Sequence, residues 1–196
     1  MSIAFVVGNG VSRKPVNLSE LQKYGPVYAC NAVYREFTPD YLIAVDPKMV
    51  KEICESGYQL SHKVYTNPNK RYNEYKKLNF FNPSKGWSSG PTALWLASEH
   101  GYQTIYILGF DYKGLENNTV VNNIFAGSRN YKPTDAKATY YGNWLRQTRT
   151  VITSNEKISY KRVITTDNFN PPEINNSNYY TEDIDIFLTN LQNGSF

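Results

Sequence analysis

Small and polar residues stand where the apolar runs of this sequence stop. Gly8, Asn9 and Gly10 follow Ile3 to Val7, Asn31 follows Val27 to Cys30, Asp46 follows Tyr41 to Val45, and Gly109 and Asp111 follow Thr104 to Leu108. In an open parallel sheet, ligands gather beyond the carboxyl ends of the strands, where loops converge and helix N-termini aim amide hydrogens at anions. Gly8 and Gly10 let the backbone approach a phosphate or ribose, and the Asn9 amide can donate to and accept from a base or sugar; an ordinary glycine turn reads the same way. Ser88, Ser89 and Gly90 precede Pro91 at a helix start and offer hydroxyls and amides to a phosphate or carboxylate. Asp46 and Asp111 can bind ribose hydroxyls, hold a metal or serve as a base, with a structural turn aspartate as the alternative for either.

A second group lies later in the chain. Between Asn122 and Lys132 come Asn123, Phe125, Gly127, Arg129, Asn130 and Tyr131, a mixture suited to folding over a ligand with an aromatic face and one guanidinium. Tyr140, Tyr141, Asn143, Trp144, Arg146 and Gln147 repeat the mixture at helical spacing, where ligand contact and packing are both open. Several chemistries are excluded. Arg13 occupies the last glycine position of GxGxxG, and no GxxxxGK[ST] is present. Cys30 and Cys54 fall in separate elements and make neither a CxxC pair nor a zinc set. His62 and His100 are the only histidines, so no Ser-His-Asp or Cys-His triad forms; His100, near a helix end, reads as a C-terminal helix charge. No metal and no cofactor is expected.

The elements that must position these residues alternate. Strands are predicted at Ile3–Val7, Val27–Cys30, Tyr41–Val45, His62–Tyr65, Thr104–Leu108 and, last, Tyr160–Ile164. Helices are predicted around Leu18 and Leu21 with Asn17 or Ser19 as cap, from Pro47 to Gly57, from Thr92 to His100 behind a Ser89 or Gly90 cap, from Tyr140 to Val151, and from a Thr181 cap through Leu191. Thr66 to Lys85 reads as an irregular excursion, and Lys113 to Thr139 as a connection long enough to be a lid or binding loop. The expectation is an α/β, Rossmann-like fold: a mostly parallel central sheet, helices on both faces and a long lid-like loop, in one domain over residues 1–196.

Composition agrees with that class. The 196 residues include 40% hydrophobic and 19% charged ones, ordinary for a globular chain, and 17 tyrosines. Tyrosine at this density suits ligand faces as well as half-buried strands. The net charge of +4 is spread without the dense basic stripe of a nucleic-acid footprint, so an anionic small ligand is expected and nucleic acid is not. Lys63, Lys70, Arg71, Lys76, Lys77 and Lys85 make one basic stretch, for phosphate steering or simple solvation. No apolar run reaches membrane-spanning length and Met1 to Val7 lacks a signal-peptide n-region, so reduced thiols and a cytoplasmic location are expected. Self-association into a homo-oligomer stays open.

Gly8, Asn9, Gly10 and Ser12, the Cys30 and Asn31 pair, and the run from Ser89 and Gly90 to Gly101, Tyr102, Ile105, Tyr106, Gly109, Phe110 and Asp111 resemble a known family. Over about the first 112 residues the sequence is similar to the bacterial sialyltransferases of the Campylobacter lipooligosaccharide type and to the motility-associated glycosyltransferase-like proteins. The resemblance implies a Rossmann-like domain for a CMP-sugar such as CMP-sialic acid, metal-independent, with Asn9, Asn31, Ser89 and Gly90 on the nucleotide or sugar. It also implies a catalytic histidine beyond the Gly-Phe-Asp segment, and this sequence has none after His100.

Two functions are therefore carried forward. One is inverting glycosyl transfer, with Asp111 or a side chain of the late loop as base. The other is a non-catalytic binder of a nucleotide-derived signal such as an ADP-ribose derivative; a phage-encoded sponge against host immune signalling would be such a protein. The ligand-contacting set expected for either is Gly8, Asn9, Gly10, Ser12, Asn31, Asp46, Ser88, Ser89, Gly90, Asp111, Tyr112, Arg129, Tyr131 and Tyr140.

Overall fold

The fold is an α/β sandwich of Rossmann-like type, seen in a computed structural model that describes residues 2–165 and 169–196. Eight strands form one sheet: β1 (Ile3–Val7), β2 (Val27–Cys30), β3 (Tyr41–Ile43), β4 (Val64–Thr66), β5 (Leu78–Phe80), β6 (Thr104–Leu108), β7 (Ser159–Ile164) and β8 (Tyr179–Asp183). All neighbours pair in parallel, in the order β5-β4-β3-β2-β1-β6-β7-β8. The chain winds outward from β1 to β5, returns to place β6 on the other side of β1, and winds outward again. The order therefore reverses between β1 and β6, which is where a crevice opens in such sheets.

Every side chain of β1 and β6 is buried, the reason both read as unbroken apolar runs. Alternate residues face opposite layers. Ala4, Val6, Cys30, Ile105 and Ile107 pack toward α3 (Ser89–Glu99) and α5 (Gly142–Ser154), against Ala93, Leu94, Leu145 and Ile152. Phe5, Val7, Ala29 and Leu108 pack toward α1 (Leu18–Leu21) and α6 (Ile184–Asn193), against Leu21, Phe187 and Leu191. On that second face α2 (Pro47–Glu55) lays Met49, Val50 and Ile53 on Leu42 and Val64. Truncating a fully buried residue such as Leu94 to alanine costs about 2–5 kcal/mol.

The structure corrects four expectations. The stretch from Thr66 to Lys85 is not wholly irregular: it holds β5, an edge strand whose side chains are half-buried or exposed and so leave no apolar run. Tyr160 to Ile164 is not the last strand, because β8 adds a parallel edge beyond β7. Thr181 lies inside β8, and the cap of α6 is Asp183, whose Oδ1 accepts the Asp185 amide at 2.8 Å. Helix α3 starts earlier than expected, with Ser88 as N-cap. Between β6 and α5 the only helical piece among the described residues is α4 (Leu115–Asn118), a single turn with left-handed Glu116 and Asn117. No helix among the described residues is long and apolar enough to cross a membrane.

Candidate functional site

Four loops meet above the carboxyl ends of β1, β2, β3 and β6. Together with the N-terminus of α3 and the segment before α5 they enclose a cleft of about 540 Å³. That volume lies within the range of small-molecule sites. Of the residues singled out on sequence, the lining includes Gly8, Asn9, Gly10, Asn31, Asp46, Ser88, Ser89, Gly90, Asp111, Tyr112 and Tyr131.

The floor is made by close contact between two backbones. Gly8 donates its amide to Leu108 at 2.8 Å and Gly10 to Gly109 at 2.9 Å, so these amides are taken. A Cβ on Gly8 would stand 2.7 Å from the Gly109 carbonyl oxygen. Glycine is thus required where the turn after β1 passes the turn after β6, as in the structural glycine turn held as the alternative, and both glycines also line the cleft.

Asn9 projects from that floor. Its Nδ2 donates to the Tyr131 hydroxyl at 3.3 Å and, at 3.5 Å, to the Cys30 carbonyl; its Oδ1 is buried with no partner among the described residues. Beside it, Asn31 sits in the left-handed region at φ 54°, a conformation asparagine tolerates better than most residues. The Asn31 Oδ1 accepts the Ser89 hydroxyl at 2.9 Å, and the same Ser89 oxygen accepts the Val45 amide at 3.1 Å. The ends of β2 and β3 are thereby tied to the start of α3. Ser88 donates its amide to the Gln147 side chain at 3.1 Å and makes no side-chain cap bond. Asp46, exposed at the lip, caps α2 by accepting the Lys48 amide at 2.8 Å.

Asp111 is not placed to act as a free base. Buried beneath the cleft, its carboxylate accepts the Ser12 amide at 3.2 Å, the Asn122 side-chain amide at 3.0 Å and the Ser12 hydroxyl. Ser12 itself lies outside the lining, because its side chain turns inward to this carboxylate. Tyr112 lines the cleft with its ring, while its hydroxyl donates to Thr148 at 3.0 Å and burial raises its pKa. Cys30 also lines the cleft, but burial pushes its thiol up to about 12, which the Arg13 charge only partly offsets, and leaves it unreactive near neutrality.

The long connection from Lys113 to Thr139 walls one side of the cleft and is tied to it by several hydrogen bonds. Asn122 accepts the Val11 amide at 2.9 Å while holding Asp111, and Ile124 donates to the Asn9 carbonyl at 2.8 Å. The Tyr131 hydroxyl accepts the Ala32 amide at 3.4 Å, and burial pushes its pKa up to about 12. Farther along, Asn130 donates to the buried Glu52 at 2.7 Å. Glu52 takes two bonds from Arg35 at 2.7 Å and one from Tyr34 at 2.8 Å. Burial alone would raise the Glu52 pKa; the hydrogen bonds from Arg35, Tyr34 and Asn130 and the Arg35 charge outweigh it and lower the value.

Besides Ser12, two expected contacts fall outside the cleft. Arg129 is spent on the outer face of this wall, 2.9 Å from Glu55 and 4.0 Å from Glu52. Tyr140 is 77% exposed, and its neighbour Tyr141 enters the lining instead. His62 is exposed and away from the cleft, and His100 meets Tyr28 at the opposite end of the sheet. Burial and then the Lys63 charge lower the His100 pKa, which counts against a helix-end cation there. Sequence reasoning did not single out Trp87 or Lys132, both of which line the cleft. A tryptophan before a serine pair and a lysine before a proline carry no signal by themselves.

The ionisable lining besides tyrosine and cysteine is Asp46, Asp111 and Lys132; the rest of the polar lining is amide and hydroxyl. No group of three or more His, Cys, Asp or Glu suited to a metal occurs among the described residues. The cleft can therefore orient an uncharged polar edge, and Lys132 is the one cationic side chain in its lining for an anion. Compared with family models, curated proteins and solved structures, the chain matches none.

Proposed function

We propose that this chain binds a nucleotide-derived small molecule, of nucleotide-sugar type, in the cleft between β1 and β6, and that holding the ligand without turnover is its role. The observation that carries the reading is the convergence of Asn9, Asn31, Ser88, Ser89 and Gly90 at the reversal point of the sheet, with the Asn9 Oδ1 left without a partner. An unpaired buried acceptor is costly, and a ligand N–H or O–H relieves that cost. Binding without turnover is supported by the commitment of Asp111 to Ser12 and Asn122 and by the absence of histidine from the lining.

Glycosyl transfer from a CMP-sugar is the second reading, favoured by one carboxylate. Asp46 stands exposed on the lip and spends Oδ1 on its helix cap, while no partner is seen for Oδ2 among the described residues. In that reading Asp46 accepts the proton of an acceptor hydroxyl, the oxygen forms the new bond at the anomeric carbon, and CMP leaves with the electrons of the broken bond. Incubating the protein with CMP-, UDP- and ADP-ribose-type compounds, releasing the bound fraction by heat and weighing it by mass spectrometry separates the two. Intact compound is expected; free nucleotide beyond that of a protein-free control heated alike, the sugar passing to water, would establish turnover, and no retained compound would remove both readings.

A further inference from the structure

One part of the lining differs chemically from the rest. The ends of β1 and β2 present Asn9 and Asn31, whereas the segment before α3 and the start of α5 present Trp87, Tyr141 and Trp144. Both tryptophans are only partly buried, although each packs along one of the apolar layers. The Tyr141 and Trp144 rings meet at 70° with centroids 5.2 Å apart, which makes a corner and not a parallel slot. Trp87 is fastened to α3 through Lys85, whose Nζ lies 5.8 Å from the Trp87 ring centre and 5.0 Å from that of Trp95.

In this corner a hydroxyl is left over. Tyr141 is 8% exposed, and its buried oxygen makes no hydrogen bond of ordinary geometry among the described residues, although the amides of Asn122 and Thr139 lie near it. Burial raises its pKa, so the group keeps its hydrogen at neutral pH and has no acceptor for it. A buried donor without an acceptor is expensive, and the lining around it opens directly into the cleft.

We infer that this corner is the subsite for the sugar ring of the ligand, a deepening that rests on the nucleotide reading above. A pyranose or furanose ring has an apolar C–H face and a rim of hydroxyls. Aromatic faces at Trp87 and Trp144 match the first feature, and the Tyr141 hydroxyl, with Thr139 and Lys132 in the same lining, matches the second. A second nucleobase, flat on both sides, is better served by two parallel rings than by a corner. The sugar half of the ligand is thus selected by the aromatic corner and the nucleotide half by the amides at the strand ends.

The test uses pairs of probes that differ by the sugar: CMP with CMP-N-acetylneuraminic acid, UDP with UDP-glucose, and ADP with ADP-ribose. Each is titrated calorimetrically into the wild type, Trp87→Ala, Trp144→Ala and Tyr141→Phe. For the pair that the wild type binds, each tryptophan variant is expected to weaken the sugar-bearing member ~10-fold relative to its parent nucleotide, the loss of one stacking contact. Trp144→Phe, which keeps an aromatic face, should recover most of that ratio and guards against a folding defect in the alanine variant. Equal losses for both members of the pair, or none for either, overturn the subsite and leave the nucleotide reading standing. Failure of the wild type to bind any of the six compounds overturns both.

Discussion

The carboxylate of Asp111 closes on Ser12, ninety-nine residues earlier, taking both its amide and its hydroxyl. Since Asn122 donates to the same carboxylate and accepts from Val11, one buried side chain joins the turn after β1, the end of β6 and the wall of the cleft. Ser12→Ala leaves a buried carboxylate oxygen without its donor and is expected to destabilise the fold by about 1–3 kcal/mol. Urea unfolding reads this directly; an unchanged midpoint would mean that Asp111 is satisfied without Ser12.

The contact of Gly8 with the turn after β6 gives a second prediction. In Gly8→Ala the new Cβ meets the Gly109 carbonyl oxygen at 2.7 Å and the Phe110 ring at 2.9 Å, and neither backbone can retreat without moving a central strand. A loss of about 1–3 kcal/mol is expected, typical of overpacking. A variant as stable as the wild type would show that the two turns are not held this close.

Glu52 makes the anchoring of the wall pH-dependent. Its pKa is lower in the folded chain than in the unfolded one, so its contribution is complete above the ordinary glutamate value, about 4.3, and disappears as pH falls through the lower folded value. Glu52→Gln removes that titration. The gap in thermal midpoint between wild type and variant should therefore narrow as the buffer is taken from neutral into the acid range below the ordinary value. A gap independent of pH would show that the Arg35 and Asn130 contacts carry no net stability.

Asn9 and Asn31 separate binding from folding. Asn9→Ala gives up only the long contacts of Nδ2 with the Tyr131 hydroxyl at 3.3 Å and the Cys30 carbonyl at 3.5 Å, so it should lower ligand affinity ~10-fold with a smaller loss of thermal midpoint than Asn31→Ala. Asn31→Ala should also destabilise, because alanine must then hold φ 54° and Ser89 loses its acceptor. Identical effects of the two substitutions on stability would contradict this division.

What was legible in the sequence follows burial. Ile3–Val7 and Thr104–Leu108 announce themselves because both faces of those strands are covered, and the run of serine, glycine and proline marks the start of α3, although the cap falls at Ser88 and Pro91 becomes the third helical residue. The edges were not legible. β5 carries Asn79 and an exposed Phe80, and β8 carries Glu182 and Asp183, so neither shows the apolar run of a central strand. Within the site, strand-end residues were found because topology alone gathers them. Arg129 was misread because a guanidinium in a loop looks the same whether it meets a ligand or, as here, carboxylates more than seventy residues away. Tyr140 and Tyr141 differ only in which way the chain turns into α5, a detail that no local pattern encodes.

The most direct measurement is a titration of isotope-labelled protein with the compound recovered from the heat-release experiment, followed by backbone amide shifts. Shifts clustered at Asn9, Asn31, Ser89, Gly90 and Asn122 are predicted, with little change at Arg129 or along β5. Shifts centred on the Glu52 and Arg129 network or on the basic residues near β5, with the amides above β1 and β6 silent, would contradict the placement of the ligand.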